Sequence, residues 1–484
     1  MNVVLVNPPP PQRTERWDRP DYPHIGLAYL AATLRVRVHD VPVTVIDGKL
    51  ERVTAEDVVA RLCELEPDVV GLSAMTHEIG ITADLAAAVK SALPGATIVV
   101  GGVHPTALPA ETLRDFPAFD LAVYGEGEAT LVELVRALGA SRDADLGDIP
   151  GLAWRRDGEI IVNPPRPWLT AEELDALPYP AWDLFPPAHT YPVLTVRGCP
   201  FTCIFCARPY GNRVRARSVE NILGEFRWLL AEREFRPGYI KVYDETFGIN
   251  KRHTARVLDG LIDLGLPRRV RWWAQTRISV ADEDLLQHMA RAGCDYLGFG
   301  IESGNPQILR TIAKDIDLDK ARRLVRAAQQ AGITTEGFYI IGLPHETRDT
   351  AWDTIRFAAD LNTEFVSIGL MVPYPHTEVY EMARRGEGGY RLISTDWRDF
   401  NKQLGNALEL DTLSRAEMER LQLIGYAYFF LRNGRLRDFL RFCWTNRVEA
   451  WAFARQFVPK LLGRRQAPTE QVRHEVGAMQ PSGK

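Results

Sequence analysis

Short apolar runs alternate with amphipathic helical patterns along most of the chain, in two series separated by a proline-rich stretch. The runs are rich in β-branched residues and apolar throughout, which is typical of strands buried on both faces of a parallel sheet. Regular alternation of strands and helices places the helices on both faces of such a sheet. The sequence therefore predicts an α/β protein with two parallel sheets, and the 484 residues suffice for about two to four domains.

The first series, residues 1–140, predicts a doubly wound, Rossmann-like sheet of the flavodoxin type. Its strand-like runs are Val3–Val6, Val43–Ile46, Val69–Leu72, Thr97–Val100 and Leu121–Tyr124. The second series, residues 191–400, contains six such runs and predicts a partial (β/α)6 barrel of the TIM type. These runs are Val193–Val196, Tyr239–Tyr243, Val270–Ala274, Tyr296–Ile301, Gly337–Ile341 and Phe365–Val372.

Three further segments complete the predicted organisation. Residues 141–190 are rich in proline and are predicted to be a linker or strap. Residues 401–465 are predicted to form a C-terminal helical cap, and residues 466–484 a disordered tail. Within the cap, the run Leu436–Val458 is aromatic and arginine-rich; it either packs on the barrel or presents an amphipathic face to a lipid-like substrate or a membrane surface.

Cys199, Cys203 and Cys206 form a C-x3-C-x2-C pattern within eight residues, just after an apolar run. Three thiolates on one loop can bind three irons of a [4Fe–4S] cluster and leave the fourth iron open to a small molecule. A structural zinc normally takes four protein ligands, whereas this loop supplies three. A disulfide framework belongs to small secreted chains, so the scattered Cys63 and Cys294 are predicted to be ordinary thiols, as is Cys443.

The cysteine spacing, with Phe205 directly before the third cysteine, resembles the signature of the radical S-adenosylmethionine (SAM) superfamily. The resemblance implies that the open iron chelates the amino and carboxylate groups of SAM. It further implies that one electron from the cluster cleaves SAM to a 5′-deoxyadenosyl radical, and that Phe205 packs near the adenine.

Polar or glycine residues follow five successive runs of the second series, where the functional residues of such barrels lie. They are Asp244 and Glu245, Gln275 and Arg277, Glu302 and Ser303, Gly342, and Tyr374 and His376. Tyr374 and His376 are predicted to face the substrate.

The resemblance to radical SAM enzymes suggests roles for the other strand-end residues. It assigns a carboxylate of Asp244 or Glu245 to the SAM ammonium, although either residue can instead cap a helix. The remaining predicted contacts are Gln275 and Arg277 with the SAM carboxylate, Glu302 and Ser303 with the ribose hydroxyls, and the backbone of Gly342 with the adenine.

Three loops of the first series are rich in glycine, and glycine permits close approach of the backbone to a ligand. They are Gly71–Thr76, Gly101–Thr106 and Gly125–Glu128. The segment resembles the cobalamin (B12)-binding domain of class B radical SAM methyltransferases, which are related to the anaerobic tetrapyrrole cyclase group. The resemblance implies that the cobalamin is lined by or lies beside Ser73, Thr76, Gly101, Gly102, His104, Glu126, Gly127 and Glu128.

No D-x-H-x-x-G string, whose histidine would ligate cobalt, occurs in the chain. His24 and His104 are the two candidates for such a ligand, and a structural role at a strand end is the alternative for each.

The net charge of −5 gives no electrostatic footprint for nucleic acid. The N-terminus lacks the pattern of a secretory signal, and apolar stretches such as Leu423–Leu431 are too short to span a membrane. With reduced thiols and a cluster, the sequence predicts a cytoplasmic protein.

The combined resemblance implies an enzyme that cleaves SAM and methylates an unactivated carbon of a small molecule or natural product. Its cofactors are a [4Fe–4S] cluster, SAM and cobalamin, and its electron donor is of the flavodoxin or ferredoxin type. The alternative is non-methylating radical chemistry, namely ring closure, ring contraction or oxidation of a tetrapyrrole, hopanoid or antibiotic precursor. A methylthiotransferase would need a second cysteine triad, and a cobalamin sensor would leave the triad without a role.

Overall fold

The computed structural model describes residues 1–10, 20–141, 144–232, 235, 237–402 and 405–445. The chain forms two compact units, Met1–Leu436 and Arg437–Lys484. In the described part of the chain, both large sheets lie in the first unit, and the second unit is represented by most of one helix.

The first sheet has seven strands in the order β2-β1-β3-β4-β5-β6-β7. Strands β1 to β5 are parallel, and their 2-1-3-4-5 order confirms the predicted flavodoxin-type sheet. The strands are β1 Val3–Asn7, β2 Val43–Asp47, β3 Val69–Ser73, β4 Thr97–Gly101, β5 Leu121–Val123, β6 Leu152–Arg156 and β7 Glu159–Val162. The helices are α1 Ile25–Arg37, α2 Gly48–Glu51, α3 Ala55–Leu65, α4 Ile79–Ala92, α5 Val103–Ala107, α6 Pro109–Asp115 and α7 Gly127–Ala140.

The hairpin β6–β7 extends this sheet with two antiparallel strands beyond β5. It falls inside the segment 141–190 that the sequence predicts to be a linker, and Leu152 and Ala153 are fully buried in the sheet. The sequence prediction misses the hairpin because its apolar runs are short and stand among prolines and charged residues.

The second sheet has six parallel strands that follow one another in chain order, which confirms the predicted partial barrel. The strands are β8 Thr190–Val193, β11 Tyr239–Val242, β12 Arg271–Arg277, β13 Cys294–Glu302, β14 Thr334–Ile341 and β15 Phe365–Leu370. The helices around it are α9 Val219–Ala231, α10 Lys251–Asp263, α11 Glu283–Arg291, α12 Pro306–Thr311, α13 Leu318–Gln330 and α14 Arg348–Leu361. The first strand begins three residues before its predicted position and contains Pro192, which an edge strand tolerates.

The remaining elements are short or C-terminal. They are α8 Ala171–Asp175, the ribbon strands β9 Val196–Arg197 and β10 Arg215–Ala216, α15 Glu378–Arg385, β16 Tyr390–Leu392, β17 Leu408–Leu410, α16 Arg415–Arg432 and α17 Leu436–Thr445. Helix α16 covers the last barrel strand, since Gln422 donates to the Ile368 carbonyl (2.7 Å) and the Ile368 amide donates to the Tyr426 hydroxyl (3.0 Å).

Much of the predicted C-terminal organisation lies outside the described residues. Those positions include residues 446–465 of the helical cap, the tail 466–484 and the second half of the run Leu436–Val458. Within the described residues, no helix is long and apolar enough to span a bilayer.

The loop after β14 is fixed by a buried carboxylate. Gly342 has a φ of 95°, and the amides of Gly342 and Leu343 donate to Oε2 of Glu346 (2.6 and 3.3 Å). Glu346 is fully buried, and this burial raises the pKa of its carboxyl from 4.5 to about 8. The protonated form of Glu346 is therefore the one that the fold favours.

This pKa predicts a pH-dependent stability that a Glu346→Gln variant lacks. Because the folded pKa lies above the unfolded value, the contribution of Glu346 to stability is complete below about pH 4.5 and is lost as the pH rises through about 8. We expect urea denaturation to give the wild type and the variant similar stability at pH 5. At pH 8.5 the wild type should be roughly 4–5 kcal/mol less stable than the variant.

Glu417→Gln is the matched control. Its hydrogen bonds with Ser414 lower the pKa of the Glu417 carboxyl, so this variant should keep the pH slope of the wild type between pH 5 and 8.5. Identical pH profiles for the wild type and Glu346→Gln would contradict the assignment.

Candidate active site

A cavity lies over the C-terminal ends of the central strands of the first sheet. Its wall contains residues of all three predicted glycine-rich loops: Ser73, Ala74, Met75, Gly101, Gly102, Thr106, Gly125, Glu126, Gly127 and Glu128. Tyr210, between β9 and β10, and Tyr243, directly after β11 of the second sheet, also line the cavity. The cavity therefore adjoins both parallel sheets.

The glycines give this cavity the form of a cradle. Gly102 has a φ of 107°, and a Cβ there would lie 2.6 Å from the carbonyl oxygen of Ala74. Gly125 has a φ of 79° and would meet no atom within 4 Å, so its backbone is open to a ligand. A large, flat cofactor such as cobalamin can approach the backbone closely here, and the residues present fit this group.

Two predicted cobalamin contacts lie behind the wall, since neither Thr76 nor His104 lines the cavity. Both ring nitrogens of His104 are buried and lack a hydrogen-bond partner among the described residues. The ring packs edge-on against Trp397 at 4.9 Å, and burial lowers the pKa of His104 to about 4. His104 thus occupies an apolar contact away from the cavity.

His24 does line the cavity, but both of its ring nitrogens are engaged. Nδ1 accepts a hydrogen bond from the Leu27 amide (3.1 Å) at the start of α1, and Nε2 lies 3.2 Å from the Ser73 hydroxyl. Burial lowers the pKa of His24. In this arrangement, His24 caps a helix and presents no free nitrogen to cobalt.

The cysteine loop leaves the barrel at the end of β8 and is closed at its base by the antiparallel ribbon β9–β10. Cys203 is buried, Cys199 is half-buried and Cys206 is exposed. Although Cys206 reaches solvent, its surroundings desolvate the thiol and raise its pKa, and nearby Glu245, Cys203 and Cys199 act in the same direction. The three thiols therefore share one mouth of the barrel.

Within the described residues, no three potential ligands are gathered closely enough to bind a single metal ion. A cubane cluster makes a different demand, because each of its cysteines binds a separate iron and the sulfurs stand further apart than the ligands of one ion. Around the loop, the Arg277 guanidinium donates to Sγ of Cys203 (2.8 Å), and Thr246 Oγ1 lies 3.7 Å from Sγ of Cys199. A three-cysteine cluster fits this donor set.

The two adjacent carboxylates after β11 have different environments. Asp244 accepts hydrogen bonds from the Thr195 amide (2.7 Å), the Thr195 hydroxyl and the Val196 amide (3.1 Å), so it ties β11 to the start of the cysteine loop. Burial raises its pKa to about 6. Both carboxylate oxygens of Glu245 are buried without a hydrogen bond of ordinary geometry, although the amides of Gly198 and Tyr210 face them.

The pKa of Glu245 is raised to about 7, chiefly by burial. A buried polar group without partners is costly. Glu245 is therefore the carboxylate of this pair that remains available to a ligand.

The other strand-end residues differ in their exposure and in whether their side chains have partners within the protein. Gln275 is exposed at the end of β12, and Arg277 is buried beside Cys203 and packs on the Phe201 ring (4.1 Å). Glu302 forms an ion pair with Lys314 (2.5 Å). Ser303 is fully buried, and its hydroxyl lies 3.0 Å from that of Thr354 on α14.

Further sequence candidates lie in different surroundings. Phe205 lies half-buried in the cysteine loop, with the Lys314 ammonium 5.8 Å from the centre of its ring. Tyr374 is half-buried and His376 is exposed with a φ of 64°. Gly342 lies in the loop fixed by Glu346.

A buried network of charges joins the cavity wall to the cysteine loop. Arg197 donates to Glu126 (2.9 Å) and Glu128 (2.7 Å), and Arg215 donates to both oxygens of Glu126 (2.9 and 2.8 Å). The side chains are 3–10% exposed. Burial opposes the charge of Arg197, but the carboxylates hold its pKa above the usual range. Glu126 and Glu128 therefore line the cavity and are at the same time paired with arginines.

Sequence reasoning placed the two glutamates near the cofactor but missed their arginine partners. The available signal was Arg197 itself, which stands two residues before Cys199 at the end of an apolar run. An arginine in such a position needs a buried acid, and the acid lies about seventy residues earlier in the chain.

Residues 19–135 match the B12 binding domain family, and residues 193–358 match the radical SAM superfamily. An uncharacterised methyltransferase of Pyrococcus horikoshii is 33% identical over 441 residues, which are 89% of this chain and 93% of that protein. An anaerobic magnesium-protoporphyrin IX monomethyl ester cyclase of Cereibacter sphaeroides is 29% identical over 376 residues, which are 75% of this chain and 60% of the cyclase.

A solved structure has the same fold. The radical SAM methyltransferase TsrM from Kitasatospora setae, with cobalamin and a [4Fe–4S] cluster bound, superposes with a TM-score of 0.69 over 89% of this chain and 88% of that chain, at 19% identity.

A B12-binding sheet followed by a radical SAM barrel, with a three-cysteine loop after the first barrel strand, defines the class of protein. The chain belongs to the cobalamin-dependent radical SAM family, and it is an enzyme. The resemblance derived from the sequence is thereby confirmed.

The network predicts a large loss of stability for Glu126→Ala. Removal of this carboxylate leaves two buried guanidinium groups without their shared partner, which costs about 3–5 kcal/mol. Urea denaturation of the full chain measures this loss.

The control is Glu378→Ala, which removes an exposed carboxylate from Arg385. Exposed pairs of this kind contribute little to stability, because solvent screens them. Equal losses of unfolding free energy in the two variants would show that the buried network at Glu126 contributes no more to stability than an exposed ion pair.

Proposed function

We propose that this enzyme cleaves SAM reductively and methylates an unactivated carbon of a small-molecule substrate. The observation that carries this proposal is the buried Glu126–Arg197 contact, which fixes a cobalamin-type cavity against a three-cysteine loop. Two cofactors that act on one substrate must be held at a constant separation, because a displacement of about 1 Å can cost roughly a hundredfold in rate. The near full-length similarity to a methyltransferase supports the same conclusion.

When bound, the [4Fe–4S] cluster supplies the electron that cleaves SAM, and cobalamin supplies the methyl group. Cys199, Cys203 and Cys206 are the proposed cluster ligands. Glu245 accepts hydrogen bonds from the SAM ammonium, because its oxygens are buried and only the amides of Gly198 and Tyr210 face them within the protein. Arg277, which already contacts Cys203, pairs with the SAM carboxylate.

The other residues have supporting roles in this proposal. Phe205 packs on the adenine, Gln275 joins Arg277 at the SAM carboxylate, and Glu302, paired with Lys314, faces the ribose hydroxyls. Asp244 and Ser303 hold strands and helices in place, since their hydrogen bonds are satisfied inside the protein.

On the cobalamin side, the cavity wall supplies the proposed contacts with the corrin ring, namely Ser73, Gly101, Gly102 and Gly127. Thr76 and His104 support the wall from behind. We extend the proposed cobalamin-binding domain to β7, because the hairpin β6–β7 belongs to the same sheet.

An electron donor of the flavodoxin or ferredoxin type is the proposed partner, and we assign no nucleic-acid partner because the chain is acidic. We propose a cytoplasmic location, since three free thiolates that ligate iron need a reducing compartment.

The second candidate function is radical chemistry without methyl transfer, such as ring closure. The observation that favours it is the 29% identity with a tetrapyrrole cyclase over 75% of this chain. The fold and the cysteine loop are compatible with both reactions and do not distinguish between them.

Loss of the exposed thiol in Cys206→Ala is expected to abolish SAM cleavage. After anaerobic reconstitution with iron, sulfide and cobalamin, the wild type should show a four-iron signal in electron paramagnetic resonance and release 5′-deoxyadenosine under a strong reductant. Release of 5′-deoxyadenosine by the variant should be at least 100-fold lower, because one more iron then lacks a cysteine ligand.

Cys63→Ala provides the matched control, since Cys63 is an exposed thiol on α3, far in sequence from the loop. It should keep both signals. Release of deoxyadenosine by Cys206→Ala at the wild-type rate would refute the proposed cluster ligands.

Methyl-deuterated SAM distinguishes the two candidate functions. A small-molecule product that carries the labelled methyl group, detected by mass spectrometry in metabolite extracts treated with the enzyme, supports methyl transfer. Deoxyadenosine accompanied by an unlabelled, altered product supports the second candidate.

A further inference from the structure

Lys241 lies on β11 and is surrounded by aromatic rings. Its neighbours Ile240 and Val242 are buried on the opposite face of the strand, so Lys241 faces the barrel interior. Its ammonium lies 4.1 Å from the ring centre of Tyr22 and 4.4 Å from those of Tyr243 and Trp273. It also donates to the Tyr22 hydroxyl (2.8 Å). These three rings form an aromatic cage.

This lysine differs from the two other buried lysines of the described residues. Lys314 is paired with Glu302, and Lys49 is paired with Glu78. Among the described residues, no carboxylate lies within ion-pair distance of Lys241, which is 9% exposed; the acid that acts on it from further away is Asp21.

Burial lowers the pKa of Lys241 to about 7. A buried ammonium without a counter-charge is unfavourable, and cation–π contacts offset only part of that cost. A ligand that brings an anion to this position is therefore stabilised.

The cage is continuous with a larger aromatic surface that a ligand can reach. Tyr22 and Tyr243 also line the cobalamin cavity, and Tyr243 is 40% exposed. Away from the cavity, the ring of Trp273 packs against that of Tyr296, with 6.0 Å between the ring centres. The ring of Tyr296 packs in turn against that of Phe365, with 5.7 Å between the centres. Phe365 is 53% exposed. Flat aromatic walls of this kind suit a planar, unsaturated molecule.

We propose that Lys241 and its aromatic cage recognise the substrate through an anionic oxygen group attached to a planar, unsaturated body. This inference rests on the proposed function and deepens it, because it places the substrate between the barrel interior and the cobalamin cavity. The same chemistry is present in the phosphodiester of cobalamin and the carboxylate of SAM, so the test has to separate these sources from the substrate.

The test uses the full chain loaded with cluster, cobalamin and SAM, and two probes of one shape: anionic 2-naphthoate and neutral 2-naphthamide. Equilibrium dialysis should show that the wild type binds naphthoate at least about tenfold more tightly, since a hydrogen bond to a charged group contributes about 1.5–3 kcal/mol. Lys241→Met should lose this preference and bind naphthamide as the wild type does.

Two further variants keep the result interpretable. Lys241→Arg retains the charge and should retain the preference for naphthoate. It therefore tests the role of the positive charge even if Lys241→Met folds poorly, and loss of the preference in Lys241→Arg would contradict the proposal. Lys251→Met removes an exposed lysine of the same barrel and should behave as the wild type.

The proposal is overturned if the wild type shows no preference for naphthoate, or if Lys241→Met keeps it. It is also overturned if Lys241→Met loses bound cobalamin, measured by its visible absorbance, or SAM affinity, because Lys241 then serves a cofactor. These arms measure binding and need no turnover. A failure of the proposed function, seen as wild-type protein without deoxyadenosine release, is therefore distinguishable from a failure of this inference.

Discussion

The paired charges of Arg197, Glu126 and Glu128 are the constraint on which the arrangement of the site depends. Separating a guanidinium group buried to this extent from its counter-charges is costly, so the loop that carries Cys199 cannot move away from the cavity wall without a large penalty. The geometry between the cavity and the cysteine loop is thereby coupled to the stability of the protein. The rings of Tyr29 and Tyr210, 5.3 and 5.2 Å from the same guanidinium, add to this restraint.

The same principle separates structural from available polar groups elsewhere in the barrel. Asp244 and Ser303 have their hydrogen bonds satisfied by strands and helices, so they hold the scaffold. Glu245 and Lys241 are buried without equivalent partners, and a ligand that supplies the missing partner gains from their desolvation. Adjacent residues with similar chemistry thus have different roles, and hydrogen bonding decides between them.

The sequence predicted the fold well where the pattern was repetitive. Runs such as Val69–Leu72 and Thr97–Val100 have the continuous apolar character of buried parallel strands, and both are strands in the first sheet. The hairpin β6–β7 was missed because short strands among prolines give little signal. The first barrel strand was predicted to begin three residues too late in the chain. Pro192 argues against a strand in general, but it is tolerated here because the strand lies at the edge of the sheet.

The sequence by itself determined which residues stand at the strand ends and on the cysteine loop, because local spacing and periodicity fix the order of the elements and the chemical types that follow them. Only the tertiary structure decided which of those residues are free to bind. The partners that engage His24, Asp244 and Glu126 come from segments tens of residues away, and no local pattern encodes such pairings. The physical reason is that burial and hydrogen bonding are properties of the packed chain, whereas spacing is a property of the chain alone.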